Sequence, residues 1–315
     1  MTGYVIRRVL QAIPVLWVVV VIVFLLLRLS PGDPATAMLG NIPGVTKEII
    51  DQVRSDLGID RPLIVQYFHW QVDLFKGDFG QSYYNQKPVT TLLAERLPKS
   101  IELAIVSLLI ALPVSFGAGI LAAVKRGTWI DHFCTAFVTA GIAIPGFWLA
   151  IMLVLLFSVK LHWIPSSGFV PFLDDPLGHL RLLILPASTL AILIAAPSMR
   201  FLRSSMLEVM GEDYIRTARA KGLRQRVIIN RHAVKNALIP TVTFIGLQFG
   251  GLLAGSILIE WVFGWTGIGW LIVNGIHAQD YLVVQGGVIV MAFFFVFVNL
   301  CVDILYAFLD PRIRY

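Results

Sequence analysis

EDYIRTARAKGLRQRVIINRHAVKNALIP, residues 212–240, carries seven of the chain's 25 lysines and arginines. It sets a dense run of arginine and lysine between two long apolar segments, so the chain must leave an apolar phase and return to it here. Of the 315 residues, 57% are hydrophobic and only 14% charged, where a soluble domain carries roughly 25% charged residues. That deficit places the chain among polytopic membrane proteins. The net charge of +6 sits in short loops between apolar runs. This is the pattern of a topology signal and not of a nucleic-acid surface.

The stretch itself reads as a helical hairpin. Residues 208–221 have helix-forming composition. Glu212 and Asp213 near the start, and Arg219 and Lys221 near the end, complement the helix dipole. Gly222 is suited to the left-handed conformation that closes a helix. A second helix over 224–237 then leads back to Pro240, with Val227, Ile228 and Val234 on one side and Arg224, Arg231 and Lys235 roughly opposite. Such a hairpin projects as a basic-rimmed knob with Ala218, Ala220 and Gly222 at its tip, a shape suited to a partner's cleft. A positive loop without a partner accounts for the charge, but needs neither two helices nor a punctuating glycine.

Outward from the hairpin, a spanning helix needs about 20 apolar residues. Residues 9–27 supply the first span, preceded by Arg7 and Arg8, which keep the N-terminus inside. Ser30-Pro31-Gly32-Asp33-Pro34 ends it. Residues 101–124 form the second span, closing in Lys125-Arg126-Gly127. Residues 133–159 form the third, with Pro145-Gly146 kinking it near its middle, and Trp163 and Pro165 mark the outer interface. Residues 182–199 form the fourth, re-entering the cytoplasm at Arg200 and Arg203. The fifth runs over 238–259, with Pro240 tolerated near its start. Residues 282–309 form the sixth, before a basic tail, Asp310-Pro311-Arg312-Ile313-Arg314-Tyr315. An even number of spans leaves both termini cytoplasmic. The expected fold class is all-α integral membrane, with residues 1–100 as an N-terminal helix plus an extracytoplasmic helical segment. Residues 101–315 form a five-helix core containing the cytoplasmic loop 204–237.

In residues 35–99 acids and bases balance, as suits the external side. Helices are expected at 46–57, capped by Thr46 and ended by Gly58, at 64–75 before Lys76-Gly77, and at 88–97 along the membrane. Together they read as a lid or gate. In the fifth span Gly246, Gly250, Gly251 and Gly255 leave one face nearly bare, for close helix packing or for lining a pathway. Glu260 reads as a gate or interface residue. Asp303 stands alone in the last span and reads as structural, with a proton relay as the alternative. Cys134 and Cys301 read as small buried hydrophobes. There is no P-loop, GxSxG, HExxH or CxxC, and the histidines show no metal-ligand spacing. No catalytic and no metal residues are assigned.

The stretch resembles the cytoplasmic coupling loop of ABC-importer permeases, and most closely that of the dipeptide, oligopeptide and nickel branch. Glu212-Asp213-Tyr214-Ile215-Arg216-Thr217-Ala218-Arg219-Ala220-Lys221-Gly222 and His232-Ala233-Val234-Lys235-Asn236-Ala237-Leu238-Ile239-Pro240 carry the resemblance. Arg7-Arg8, Pro31-Gly32-Asp33-Pro34, Gly58, Gly77-Asp78-Phe79-Gly80, Asp280-Tyr281, Gln285-Gly286 and the tail follow in family order across the whole chain. Thr266 stands where relatives usually show proline, as does Leu282.

The resemblance implies the six-helix fold of type I importer permeases. It also implies a second homologous permease subunit, two ABC ATPase subunits that bind ATP and Mg, and an external substrate-binding protein, all within membrane lipid. This chain itself would bind no cofactor. Asp213, Tyr214, Arg216, Thr217, Ala218, Arg219, Ala220, Lys221 and Gly222 would engage an ATPase. Gly246, Gly250, Gly251, Glu260, Phe263, Trp265 and Asp280 would belong to the pathway or outer gate. The implied substrate is a dipeptide or short oligopeptide, with nickel or glutathione as alternatives within the branch. A secondary transporter would want paired intramembrane acids or matched broken helices, and neither is evident.

Overall fold

A computed structural model of the chain describes residues 2–28, 35–36, 45–56, 58, 60–82 and 84–309. The turn at 30–34 and the tail at 310–315 lie outside them. The elements are α1 (Thr2–Arg28), α2 (Lys47–Asp56), α3 (Leu63–Phe75), β1 (Gln81–Ser82), β2 (Lys87–Pro88), α4 (Val89–Val124) and α5 (Trp129–Ala143). They continue with α6 (Gly146–Leu153), α7 (Pro176–Gly211), α8 (Asp213–Ala220), α9 (Val234–Val262), α10 (Ile268–His277) and α11 (Tyr281–Leu309). A π-helical run, Val154–Lys160, extends α6, and another, Ile228–Ala233, leads into α9. Among the described residues four helices are long and apolar enough to span alone. Six spans result if α5 with α6, and the two parts of a bent α9, each count as one.

Several expected boundaries move. The helix expected at 88–97 is not separate, because α4 runs unbroken from Val89 to Val124. Its buried positions, Leu92, Ser100, Leu103, Ser107, Ala111 and Ser115, recur every three to eight residues on one stripe. No phase break would part a surface helix from a span. The third span is not merely kinked: α5 and the helix beginning at Gly146 turn through 108° at Pro145. The proline takes an extended conformation there (φ −61°, ψ 135°) and starts a new helix. Pro240 lies inside α9 and not at its start. The hydroxyls of Thr241 and Ser205 donate to the Ala237 carbonyl, at 2.7 and 3.3 Å, beside the point where the proline removes a backbone donor.

The chain divides into two compact units. One comprises Met1–Val9, Ile101–Trp265 and Phe295–Tyr315. Here α7 is the central element, buried along much of its length by α5, α6 and α9. Phe201 of α7 stacks on Phe244 of α9 with centroids 4.6 Å apart. The end of α11 lies on α9, where a methyl group at Gly246 would strike Val302 and one at Gly250 would come within 2.8 Å of Asn299. Asp303 does not stand alone: its Oδ2 lies 3.2 Å from Arg8 Nη1. Cys134 is buried as expected, but Cys301 is exposed on the outer face of α11.

The other unit comprises Leu10–Ser100 and Thr266–Phe294. Phe24 of α1 packs edge-on against Tyr67 and tilted against Trp70 of α3, at 5.3 and 5.5 Å. Gly58 follows α2 with φ +63°. Glu48, in the first turn of α2, has its carboxyl held below the usual range by hydrogen bonds from the Thr46 side chain and its own backbone. Gly77 closes α3 with φ +77°, and Asp78 N donates back to Asp73 O at 2.9 Å. The hairpin of β1 and β2 pairs Gln81 with Pro88.

Candidate functional site

The basic stretch folds as a compact hairpin, shorter than its sequence pattern indicated. α7 continues to Gly211, and Glu212 breaks it with an extended backbone (φ −67°, ψ 149°). The first hairpin helix is therefore Asp213–Ala220 and not 208–221. Asp213 falls in its first turn and Arg219 in its last, so the charges still follow the dipole. Gly222 adopts φ +75°. Its amide donates to Arg219 O at 2.9 Å and Leu223 N to Ala218 O at 3.3 Å, the paired bonds that close a helix on a left-handed residue. The chain then turns at Arg224, makes one helical turn over Gln225–Val227 and passes through the π-helical run into α9. The second hairpin helix is thus the beginning of the fifth span. No hinge separates them, and movement of the hairpin is movement of α9.

One face of the hairpin is a core. Ile215 and Ala218 of α8 pack with Ile228, Ala233 and Ala237, and beneath them with Leu202, Met206 and Ala123 of the spans. Ile215 is fully buried, which contributes on the order of 2 kcal/mol. Ala218 therefore does not sit at the tip, because helical spacing from Ile215 turns it inward. The exposed tip is Ala220, Lys221, Gly222, Leu223 and Arg224. Tyr214 is exposed and held by its hydroxyl, which accepts from Asn236 Nδ2 at 2.9 Å. Thr217 caps back on Asp213 O at 3.0 Å, and Arg216 pairs with Asp213 at 3.2 Å in the open. Such an exposed pair adds little stability. The remaining surface, with Arg219, Lys221, Arg224 and Arg226, is positive.

Asp131 had no role in the sequence reading. It is buried in the first turn of α5, and Arg203 of α7 grips it with Nε to Oδ1 at 2.7 Å and Nη2 to Oδ2 at 2.8 Å. Gly127 N donates to the same carboxylate at 3.0 Å. The span joined to the hairpin is thereby fixed to its neighbour. The available signal was an acid beginning a span just after a basic turn. Arg203, read as a topology marker, is its partner.

The residues assigned to an outer gate fall into both units. Within the first, Phe263 and Trp265 are buried. Trp265 packs against Phe169 at 5.0 Å and against His179 at 5.4 Å. His179 Nδ1 lies 2.7 Å from Val170 O and Nε2 2.9 Å from Glu102 Oε1. Both ring nitrogens thus have an oxygen partner, and the imidazole bridges the loop before α7 to α4. Glu260 is buried near the end of α9, where Ser256 Oγ donates to it at 3.3 Å. Gly246 and Gly250 serve packing, while Gly251 and Gly255 face open space. Within the second unit, Asp280 is buried at the start of α11 and accepts from Ser82 Oγ at 2.5 Å and from Val283 N at 3.3 Å. Burial pushes its carboxyl above the usual range, against the pull of those hydrogen bonds. The Thr266 hydroxyl, absent from a proline, accepts from Lys99 Nζ at 3.1 Å, and its carbonyl accepts from Arg96 Nη1 at 3.2 Å.

Known proteins match the sequence along its length. Residues 115–315 match the family described as binding-protein-dependent transport system inner membrane component, and residues 1–104 match the N-terminal region described for the same systems. A putative peptide transport system permease protein of Brucella abortus (strain 2308) is 46% identical over the full length of both chains. The glutathione transport system permease protein GsiC of Escherichia coli (strain K12) is 42% identical, again over both full lengths. With its helical fold and its matches along the entire sequence, the chain belongs to the binding-protein-dependent transport system inner membrane components, the permeases of ABC importers.

Proposed function

We propose that this permease carries dipeptides or short oligopeptides inward, and that the hairpin Asp213–Gly222 is where ATP hydrolysis on partner subunits drives it. The single observation that carries the proposal is the join between α8 and the fifth span. α8 is packed through Ile215 and Ala218 onto the start of α9 and the end of α7, while its tip stays exposed and basic. A groove on an ATPase that accepts this tip would move two spans as one body. Closure of two ATPases on ATP and Mg then becomes rigid-body rotation of the pathway helices. Transport follows only if the nucleotide state favours one conformation over the other. This chain is taken to bind no cofactor of its own, and hydrolysis belongs to the ATPases.

A second permease subunit completes the pathway, and an external binding protein delivers substrate to the side opposite the hairpin. Both termini lie on the hairpin's side, in the cytoplasm. The ion pair between Arg8 and Asp303 supports a common side for the ends of α1 and α11. Peptide is the preferred substrate because the 46% identical relative is named for it. Glutathione, a peptide-like solute, is the second reading, favoured by the 42% identical relative named for it. Uptake of labelled dipeptide and of labelled glutathione in a strain lacking this gene, with and without the gene restored, tests the assignment. Restoration of neither would overturn it.

A further inference from the structure

Helices α5 and α7 stay packed along their crossing, with Cys134, Val138 and Met199 in one buried cluster between two closer approaches. At one level a methyl group on Gly141 would come within 2.7 Å of Ala196 Cβ. At the other, Arg203 grips Asp131. On the exposed side of the pair, from beside the ion pair to just past Gly141, lies a cleft of about 460 Å³. Its lining is graded along its length. Near the ion pair it presents Arg200, Arg203, Ser204 and Thr135; toward and past Gly141 it presents Val138, Ile142 and Ala143, with Thr139 among them turning its hydroxyl to Thr135 O at 2.9 Å.

Asp131 is already neutralised by Arg203, so it cannot also balance Arg200. Among the described residues no hydrogen bond or ion pair engages the exposed Arg200 guanidinium. Lys125 and Arg126, on the turn before α5, add further positive charge at the same end.

We infer that the cleft holds an anionic phospholipid. Its phosphate lies against Arg200 and the hydroxyls of Thr135 and Ser204, and an acyl chain runs along Val138, Ile142 and Ala143. In a bilayer an exposed cleft between spans is filled by lipid or by protein. A charged mouth leading to an apolar floor matches the amphipathic order of one phospholipid, and basic pockets between spans suit anionic headgroups. A free phosphate would use the mouth and leave the apolar floor unfilled. Arg200 thereby ties the lipid to α7, the helix that ends at the coupling hairpin.

The test uses the complete purified transporter in nanodiscs of phosphatidylcholine with added phosphatidylglycerol, read by native mass spectrometry of retained lipid. Arg200→Gln is expected to retain phosphatidylglycerol about fivefold less well, Arg200→Lys close to normally, and phosphatidylcholine retention unchanged. Photoactivatable phosphatidylglycerol on the unaltered transporter is expected to label peptides containing Thr135 and Arg200, which keeps the test independent of how the variant folds. Equal retention by Arg200→Gln, or labelling only elsewhere, would overturn the inference. So would displacement of the lipid by free glycerol phosphate, which would mark a plain anion site. Cross-linking of the Thr139→Cys variant to the second permease subunit would overturn it in favour of a protein interface.

Discussion

Arg8 and Asp303 are joined by an ion pair of 3.2 Å between Nη1 and Oδ2, although almost the whole sequence lies between them. The pair clamps the start of α1 to the end of α11. Removing either partner leaves the other charge beside apolar helices. We expect Arg8→Gln and Asp303→Asn each to lower the thermal midpoint of the purified protein by a few degrees, about what a loss near 1 kcal/mol causes. The exchanged pair, Arg8→Asp with Asp303→Arg, should recover most of the loss. No recovery would show that packing, and not charge pairing, holds these ends.

The grip of Arg203 on Asp131 should matter more, because Asp131 is almost fully buried and also accepts from Gly127 N. Breaking a buried pair by removing one member costs about 3–5 kcal/mol. Asp131→Ala is therefore expected to reduce the amount of folded protein recovered from membranes sharply. Asp131→Ala with Arg203→Leu should be milder than Asp131→Ala alone, since no lone charge remains. Thermal unfolding of the three variants, followed by tryptophan fluorescence, measures both effects.

Gly222 is required for its backbone conformation and not for lack of space. Its φ is +75°, and an added Cβ would meet nothing within 4 Å. Left-handed backbone costs an ordinary residue roughly 1–2 kcal/mol, less for asparagine and more for a β-branched residue. Substrate uptake should therefore fall in the order Gly222→Asn, Gly222→Ala, Gly222→Val, with the valine variant inactive while still present in the membrane. A steric role would instead make alanine and valine differ by size alone and would leave asparagine no better than alanine.

Asp280 gives a pH dependence with a definite sign. Burial raises its carboxyl in the folded state, so the folded protein holds this proton more tightly than the unfolded chain. Its contribution favours folding below the ordinary carboxylate range of about 4 and is lost as pH rises through that range to the raised value. Asp280→Asn, which keeps an acceptor for Val283 N, should flatten this part of the profile. Ser82→Ala removes a hydrogen bond that lowers the carboxyl and should extend the sloping region upward. Thermal midpoints taken across mildly acid pH measure both.

Much of this fold could be read from residue patterns. Apolar runs located the spans, and the glycines at 58, 77 and 222 marked helix ends because each requires a positive φ. Chain continuity was harder to read. Residues 88–97 looked like a separate amphipathic helix because Arg96, Lys99 and the adjacent Pro98 interrupt the apolar pattern. Only the buried stripe from Leu92 through Ser115 shows one uninterrupted helix. Pro240 suggested a helix start, yet α9 begins at Val234 and runs through it. Within the hairpin, the order of charges was legible, but the inward turn of Ala218 was not, since it depends on where Glu212 breaks α7. Partnerships between distant residues, Asp131 with Arg203 and Glu102 with His179, leave no local pattern at all.

The account rests on the exposed tip of α8 touching an ATPase inside the cell. A photo-crosslinking amino acid placed at Lys221, in the intact transporter in living cells, tests it most directly. The expected product joins this chain to an ABC ATPase subunit, in an amount that changes when cells are depleted of ATP. A control at the exposed Tyr84, between β1 and β2, should give no such product. Cross-links from Lys221 to the external binding protein, or no ATPase product from a transporter that still imports, would contradict the account.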